Sequence, residues 1–250
     1  MAGAPRLLWH LWHGSARGAV QAACLWLAWS GSAAAAGGVI ASAQYTEPTT
    51  RYAHAVLGDA IEWGALELTL DSGETVTFTL PQDHVFEDVA PRLHDVDGDG
   101  APEVVVVEAD VTAGAALAIY GAGGKITETP HIGTRNRWLA PLGAADLDGD
   151  GAVELAYIDR PHLAKTLRIW RYADGALTEV AALPGLTNHR IGEADIAGGI
   201  RTCGAEPEML LATANWSELV VVTWGATGFT WRPLGRDTSR AAFADAMACR

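Results

Sequence analysis

The sequence predicts an all-β protein built from repeats of about 50 residues, each with four short strands. An acidic stretch at residues 95–103 recurs at residues 146–154, a shift of 51 positions. Each copy runs into a short apolar segment, at residues 104–107 and 155–158, that has the residue types of a β strand. Similar apolar segments, separated by turns rich in Gly and Asp, continue on both sides. The pattern predicts strands joined by tight turns and repeated along the chain.

The four strands of one repeat are clearest around the second acidic stretch. We predict them at residues 138–147, 154–158, 167–172 and 177–183. The acidic stretch joins the first two strands, and Asp174-Gly175 is a typical hairpin turn between the last two. The preceding repeat has the corresponding strands at residues 89–96, 103–107, 116–120 and 126–129.

Two further repeats are weaker. One begins at Asp195, 49 residues after Asp146, and keeps the register but not the acidic residues. Its later strands are predicted at residues 209–213, 219–224 and 229–232. An abbreviated first repeat is predicted upstream, with strands at residues 51–59, 62–70 and 74–80. The chain would then contain four repeats.

Four-stranded repeats of this length are typical of a β-propeller, in which radial blades bury their faces against their neighbours. We expect four blades, with five blades or an incomplete ring as the alternatives. Closure of a ring would require residues 39–45 to pair with the last blade, because an open sheet edge recruits other chains. Residues 237–250 are predicted to form a tail with a cap at Ser239 and a short helix at residues 241–248.

The acidic stretch has the ligand pattern of a calcium site. Carboxylates at alternate positions of a tight turn point to one centre, and calcium takes six to eight oxygen ligands. An EF-hand loop needs its bidentate acid at position 12, where the two copies have Val106 and Tyr157, so we exclude that motif. An ordinary polar hairpin turn is the alternative, but the recurrence of the same acidic positions favours a metal site. The predicted ligands are Asp95, Asp97, Asp99, the Ala101 carbonyl and Glu103 in the first loop, and Asp146, Asp148, Asp150, the Ala152 carbonyl and Glu154 in the second.

The D-x-D-x-D-G-x-x-E loop between two strands of such a repeat resembles the FG-GAP/VCBS repeat of integrin-α-type β-propellers. The resemblance extends over about residues 52–233 and is strongest in the two central repeats. It implies that each acidic loop holds one calcium ion in a structural role, and therefore about two ions in this chain.

The N-terminal segment has the features of a secretory signal. Residues 1–36 contain no acidic residue, and a basic start is followed by the apolar residues 18–29 and a run of small residues. We expect cleavage near residues 34–36, with residues 41–43 as the alternative, and a propeller over residues 37–236. The apolar part is shorter than the roughly 20 residues of a membrane span. An exported protein, periplasmic or extracellular, is expected.

Charge and cysteine content support this interpretation. The formal net charge is −13, so we do not expect nucleic acid or an anionic membrane as a partner. Cys24 would leave with the signal, and Cys203 and Cys249 are expected to form a disulfide in an oxidising compartment. A catalytic or metal-binding cysteine is the alternative, but neither has a Cys or His partner nearby in sequence.

A polar stretch precedes the innermost strand of several repeats, where it would surround the mouth of the propeller channel. Arginine forks suit planar anions, so a site for an anionic ligand is one interpretation, and loop-anchoring hydrogen bonds are the other. The candidate residues are Arg51, Asn136, Arg137, Asn188 and Arg190. Residues 159–162 are interpreted as a surface turn, with a catalytic His-Asp pair as the alternative.

No nucleophile elbow, catalytic metal motif, phosphate loop or dinucleotide loop is found in the sequence. We therefore expect a non-enzymatic, calcium-binding module that binds or scaffolds a protein or carbohydrate. The alternatives are a hydrolase or lyase with its site at the channel mouth, and a purely structural partner in a larger envelope complex.

Overall fold

The computed structural model describes residues 38–250, and these form an all-β fold of three antiparallel sheets with one short helix. The predicted signal peptide and Cys24 lie outside the described residues. In the part of the chain that the structure describes, no helix has the length and apolar character needed to cross a membrane.

The strands follow the chain from one sheet to the next. The first sheet contains β1 (Ile40–Thr49), β2 (Glu62–Leu70), β3 (Thr75–Thr79), β4 (His84–Phe86), β5 (Arg92–His94), β6 (Glu103–Asp110), β7 (Gly114–Gly121) and β8 (Gly124–Glu128). The second contains β9 (Leu139–Ala145), β10 (Glu154–Asp159), β11 (Thr166–Ala173) and β12 (Ala176–Pro184). The third contains β13 (Leu186–Thr187), β14 (Gly199–Arg201), β15 (Glu208–Thr213), β16 (Leu219–Gly225) and β17 (Gly228–Gly235).

The second sheet agrees closely with the repeat that the sequence predicts. Its strands lie in the order β12-β11-β10-β9, each antiparallel to its neighbour in the chain. Asp174 and Gly175 both have positive φ, 50° and 76°, as a two-residue hairpin with a type I′ turn requires. The local signals of this repeat were therefore sufficient to place all four strands.

In the flanking repeats the innermost strand is broken into two pieces. Both β4 and β5 pair with β6, and both β13 and β14 pair with β15. The predicted continuous strand at residues 89–96 is therefore wrong in its bounds. Its break contains Pro91, which has no N–H to donate to a ladder, and Asp88, whose carboxylate accepts the Val89 N–H at 2.7 Å.

Strands β6, β10 and β15 are buried on both faces. Alternate residues of a strand point to opposite faces, so each of these strands contributes to two apolar layers. Val104 and Val106 pack in one layer with residues of β2, whereas Val105 and Val107 pack in the next with residues of the second sheet. The second and third sheets share a further layer in the same way. The repeats are therefore stacked face to face.

One expectation for the N-terminal part is wrong, and the pairing that closure of a ring would require is not formed. Residues 51–59 are not a strand but part of the turn-rich connection between β1 and β2. Residues 39–45 fall at the start of β1, which pairs with β2 from Ile40↔Leu70 to Thr49↔Glu62 and not with the last sheet. β1 is therefore an edge strand of the first sheet, paired along one side with β2.

The outer face of the third sheet is covered by helix α1 (Arg240–Met247). The predicted cap is confirmed, because the Ser239 hydroxyl accepts the Ala242 N–H at 3.2 Å. Phe243 and Ala246 of the helix pack in an apolar cluster with residues of β15 and β16. The predicted disulfide between Cys203 and Cys249 is also present and ties the end of the helix to the sheet.

We predict that loss of this disulfide destabilises the protein by about 4 kcal/mol, because it closes a loop with a sequence separation of 46 residues. Denaturant unfolding of Cys203→Ser, Cys249→Ser and the double variant checks this. The double variant should be no less stable than either single variant, since one bond is lost in all three. An unchanged unfolding midpoint would show that the helix is held by packing alone.

Candidate metal-binding loops and a candidate ligand cavity

The first acidic loop joins β5 to β6 and is held by hydrogen bonds from its own backbone. The Asp95 carboxylate accepts the Gly98 N–H at 2.8 Å and the Gly100 N–H at 3.0 Å. Both glycines have positive φ, 77° and 91°, which turns their N–H groups towards that carboxylate. The loop therefore curls around Asp95, as a carboxylate-lined turn requires.

The other predicted side-chain ligands of this loop lie close to Asp95. Carboxylate oxygens of Asp95, Asp97 and Asp99 lie within 4.8 Å of one another, and all three residues are exposed. Glu103, the first residue of β6, accepts the Val96 N–H at 3.0 Å, and burial raises the pKa of its carboxyl group. Ala101 lies in the same turn and donates its N–H to Asp99 at 2.7 Å. A set of hard oxygen donors of this kind suits a metal such as calcium.

The second loop, between β9 and β10, repeats this geometry. Asp146 accepts the Gly149 N–H at 2.7 Å and the Gly151 N–H at 2.9 Å, and Glu154 accepts the Leu147 N–H at 2.9 Å. Carboxylate oxygens of Asp146, Asp148 and Glu154 lie within 4.8 Å of one another. Asp150 accepts the N–H of Ala152 at 2.9 Å, as Asp99 does for Ala101. The two loops have the same backbone design.

The second loop differs in containing the guanidinium group of Arg171. Its Nη2 lies 2.7 Å from Asp148, its Nη1 2.8 Å from Asp150 and its Nε 2.7 Å from Glu154. The hydrogen bonds to Glu154 and Asp148, that to Glu154 first, raise the pKa of Arg171. The sequence analysis did not identify Arg171. The hairpin register would have revealed it, because Arg171 pairs directly with Glu154 on the adjacent strand.

The third repeat has no comparable cluster. Within residues 38–250, the acidic groups close enough to share a metal ion are those of the two loops. Asp195, at the corresponding position of the third repeat, instead forms an ion pair with Arg240 of α1. This contact attaches the helix to the sheet that it covers.

The candidate ligand-binding residues fall into two groups. Three of them anchor loops, which was the alternative interpretation of these residues. Arg51 donates a hydrogen bond to the His84 carbonyl at 2.9 Å, and the Asn188 amide donates one to the Ala140 carbonyl at 3.2 Å. Arg190 stacks on Trp216, 3.7 Å from its ring centroid. The structure thus gives these three side chains roles in holding loops together. The other two, Asn136 and Arg137, line a cavity of about 210 Å³.

This cavity lies at the opposite end of the second sheet from its acidic loop. It is formed by connections from four parts of the chain, after β1, before β9, after β10 and after β13. Its lining residues are His54, Val56, Asn136, Arg137, Trp138, Arg160, Pro161, His162, Leu163 and Ile191. The predicted surface turn at residues 159–162 is confirmed as a turn for residues 160–162, but Asp159 ends β10 and is buried, and the three residues after it line the cavity.

A histidine and a buried glutamate form a close pair beside the cavity. His54 Nδ1 lies 2.5 Å from Glu87 Oε1, while Oε2 of the same carboxylate is buried without a hydrogen-bond partner. Burial raises the pKa of Glu87 and lowers that of His54, with Arg137 lowering the latter further. Burial and the neighbouring His189 lower the pKa of His162 to about 4. The lining of the cavity therefore contains the neutral imidazoles of His54 and His162 beside the guanidinium groups of Arg137 and Arg160.

Strained backbone also occurs around the cavity. Ala55, Asn136 and Arg160 have φ values of 56°, 53° and 46°, in the left-handed region that non-glycine residues seldom adopt. Tertiary contacts hold part of this geometry, since the Asn136 N–H donates to the Tyr52 hydroxyl at 2.7 Å. Strain of this kind persists where the surroundings fix it, and it is often found at functional sites.

Comparison with known families confirms the resemblance carried by the acidic loops. Residues 95–157, about a quarter of the chain, match the family model for an FG-GAP-like repeat. The matched segment begins with the first ligand of the first loop and ends within β10, so it contains both loops. The chain therefore contains an FG-GAP-like repeat. A search of curated proteins found no match.

Glu62, at the start of β2, gives a pH-dependent prediction for the same region. Burial, with further contributions from Glu87 and Asp59, raises the pKa of its carboxyl group to about 9 from its ordinary value of 4.5. The folded state then holds a proton that the unfolded state releases, so stability should fall as the pH rises from about 4.5 to about 9. Between pH 7 and pH 9 we expect Glu62 to account for a loss on the order of 1–2 kcal/mol.

Thermal unfolding of Glu62→Gln over this pH range isolates the effect. The variant should lose less stability than the wild type as the pH rises, because Gln carries no titratable proton. Glu74→Gln, which changes an exposed residue in a turn, is the control and should follow the wild type. Parallel curves for the wild type and Glu62→Gln would contradict the raised pKa.

Proposed function

We propose that this protein is an exported, calcium-stabilised propeller-type module that binds or scaffolds a partner and does not catalyse a reaction. The observation that carries the proposal is the acidic loop formed twice, at the same point of two sheets that stack face to face. The FG-GAP-like match over both loops and the disulfide support the same assignment.

The arrangement of the sheets supports a propeller-type assembly. Each repeat contributes a meander whose second strand is buried on both faces, as a blade between two neighbours would be. We propose four repeat units, with β1–β3 as the abbreviated first. Helix α1 then covers the outer face of the last unit, where a ring-closing neighbour would otherwise pack.

We propose calcium as the metal of the first loop, held by Asp95, Asp97, Asp99, Glu103 and the carbonyl of Ala101. Three exposed carboxylates so close together repel one another unless a cation lies among them. No Lys, Arg or His among the described residues forms an ion pair with the acidic residues of this loop. An ion at this point would fix the start of β6, a strand buried on both faces, and its role would be structural.

We propose that the cavity lined by Asn136 and Arg137 is the ligand site, and that it takes a small carboxylate such as a sugar acid or an acidic side chain. Arg137 gives it positive charge on a chain of net charge −13, whereas Arg160 is paired with the Asp159 carboxylate. Trp138, Leu163 and Ile191 supply an apolar wall on which a ring or an aliphatic chain can pack. This chemistry fits a carbohydrate or protein partner.

A second candidate function is a hydrolase or lyase acting in the same cavity. The observation that favours it is the contact of His54 with the buried Glu87, because a carboxylate can orient a histidine as a general base. The described residues that line the cavity include no Ser, Thr, Cys or Lys that could act as a covalent nucleophile. We therefore place binding first.

Calcium should raise the melting temperature of the wild type through binding to the folded state, and Asp97→Ala should abolish this rise. Asp71→Ala removes the same charge from a turn outside the loops and should respond to calcium as the wild type does. Calorimetric titration of chelator-treated protein measures the binding directly. Equal calcium binding by Asp97→Ala and the wild type would contradict the assignment.

The ligand proposal is tested with glucuronate, which combines a carboxylate with a sugar ring. Calorimetric titration should give saturable binding, weakened at least about tenfold by Arg137→Ala, because a charge-assisted hydrogen bond is worth roughly 1.5–3 kcal/mol. Arg135→Ala is the matched control, since Arg135 is exposed and does not line the cavity. Equal losses of affinity in the two variants would show that glucuronate binds through general surface charge and not in the cavity.

A further inference from the structure

We propose that the guanidinium group of Arg171 serves as the built-in cation of the second acidic loop, so that the protein binds one calcium ion, at the first loop. This inference rests on the proposed calcium site of the first loop. The sequence predicted about two calcium ions. Here the carboxylates of one loop are balanced by a metal ion and those of the other loop by an arginine.

The contacts of Arg171 cover three of the four side-chain ligands predicted for calcium in this loop, and the fourth, Asp146, accepts backbone N–H groups of the loop itself. Its three nitrogen atoms each lie within 2.8 Å of a different carboxylate, those of Asp148, Asp150 and Glu154. The remaining oxygen of Glu154, Oε2, accepts the Leu147 N–H. Both oxygens of the glutamate expected to be a bidentate ligand are therefore engaged within the protein.

The residue type at the strand position opposite the loop glutamate explains why the first loop lacks this cation. Arg171 pairs with Glu154, and Trp170 pairs with Leu155 on the adjacent strand. In the preceding repeat Tyr120 pairs with Val104, so the residue that corresponds to Arg171 is Gly121. A glycine has no side chain to reach the carboxylates, which leaves their charge to be balanced by a metal ion.

The two loops should then respond differently to the removal of calcium. A divalent ion in the second loop would have to displace the guanidinium group or lie beside it, and like charges at such distances repel. The second loop carries its own balancing charge and should keep its structure in a chelator. The first loop has no internal cation among the described residues, so removal of calcium should loosen the connection between β5 and β6.

Calcium stoichiometry of chelator-treated variants, measured by calorimetry and native mass spectrometry, tests the proposal. We expect one ion for the wild type, two for Arg171→Gln, and one for the control Arg168→Gln. Arg168 lies on the same strand but pairs with Asp159 and Glu179, away from the loop. One ion in Arg171→Gln, or two in the wild type, would overturn the proposal.

The reciprocal substitution, which adds an arginine next to the first loop, can also be made. Gly121→Arg places a guanidinium at the position that corresponds to Arg171, and its Cβ would meet only the flexible end of Ile126, at 3.2 Å. Calcium binding by this variant should fall at least tenfold, or to none. The double variant Gly121→Arg/Arg171→Gln should bind one ion, now lost on Asp148→Ala and kept on Asp97→Ala.

These measurements separate failure of this inference from failure of the proposed function. A wild type that binds two ions, with one lost in Asp148→Ala, contradicts the role of Arg171 but keeps the calcium-stabilised module. A wild type that binds none contradicts both. Circular dichroism of each variant shows whether it is folded, and Arg171→Lys provides a second test. The lysine ammonium cannot contact all three carboxylates at once, so this variant should bind a second ion, but more weakly than Arg171→Gln does because it keeps a positive charge in the loop.

Discussion

The burial of both faces of strands β6, β10 and β15 is the constraint on which the rest of the structure depends. Such a strand is stable only between two neighbouring layers, so the repeats must stack, and each end of the stack needs a cover. The hairpin strands β1–β3 provide one cover, and helix α1, tied by its disulfide, provides the other. The same constraint places the connections of each repeat at the two ends of its strands, and both candidate sites are made of these connections.

The acidic loops are extensions of the buried strands. Glu103 and Glu154 are the first residues of β6 and β10, and each accepts a backbone N–H from the start of its own loop. This bond holds the loop closed, whatever cation lies among the carboxylates. The closed loop can therefore hold either a metal ion or a guanidinium group. We infer that the residue opposite the glutamate on the next strand determines which of the two it holds. At the other end of the second sheet, the cavity combines two arginines with neutral histidines and a buried glutamate.

Local signals allowed much of this structure to be predicted from the sequence. The second sheet, the acidic loops, the capped helix and the disulfide all follow from turn residues, strand patterns or cysteine pairing within short segments. The errors concern contacts between distant segments. The partner of residues 39–45 depends on which strand edge is free, and the turns at residues 51–59 contain apolar residues that are buried by packing on other connections. His54 and His162 meet at the cavity although more than 100 residues separate them, a proximity that no local pattern encodes. The position of Arg171 opposite Glu154 could be predicted from the hairpin register, but only after the strands had been paired with each other.

The central claim is that one acidic loop is completed by calcium and the other by arginine. A crystal structure of the wild-type protein grown in calcium, with anomalous scattering used to locate the ions, tests it most directly. We expect one anomalous peak among Asp95, Asp97, Asp99 and Glu103, and Arg171 in contact with Asp148, Asp150 and Glu154. A peak in the second loop with Arg171 displaced, or no peak in the first loop at saturating calcium, would contradict it.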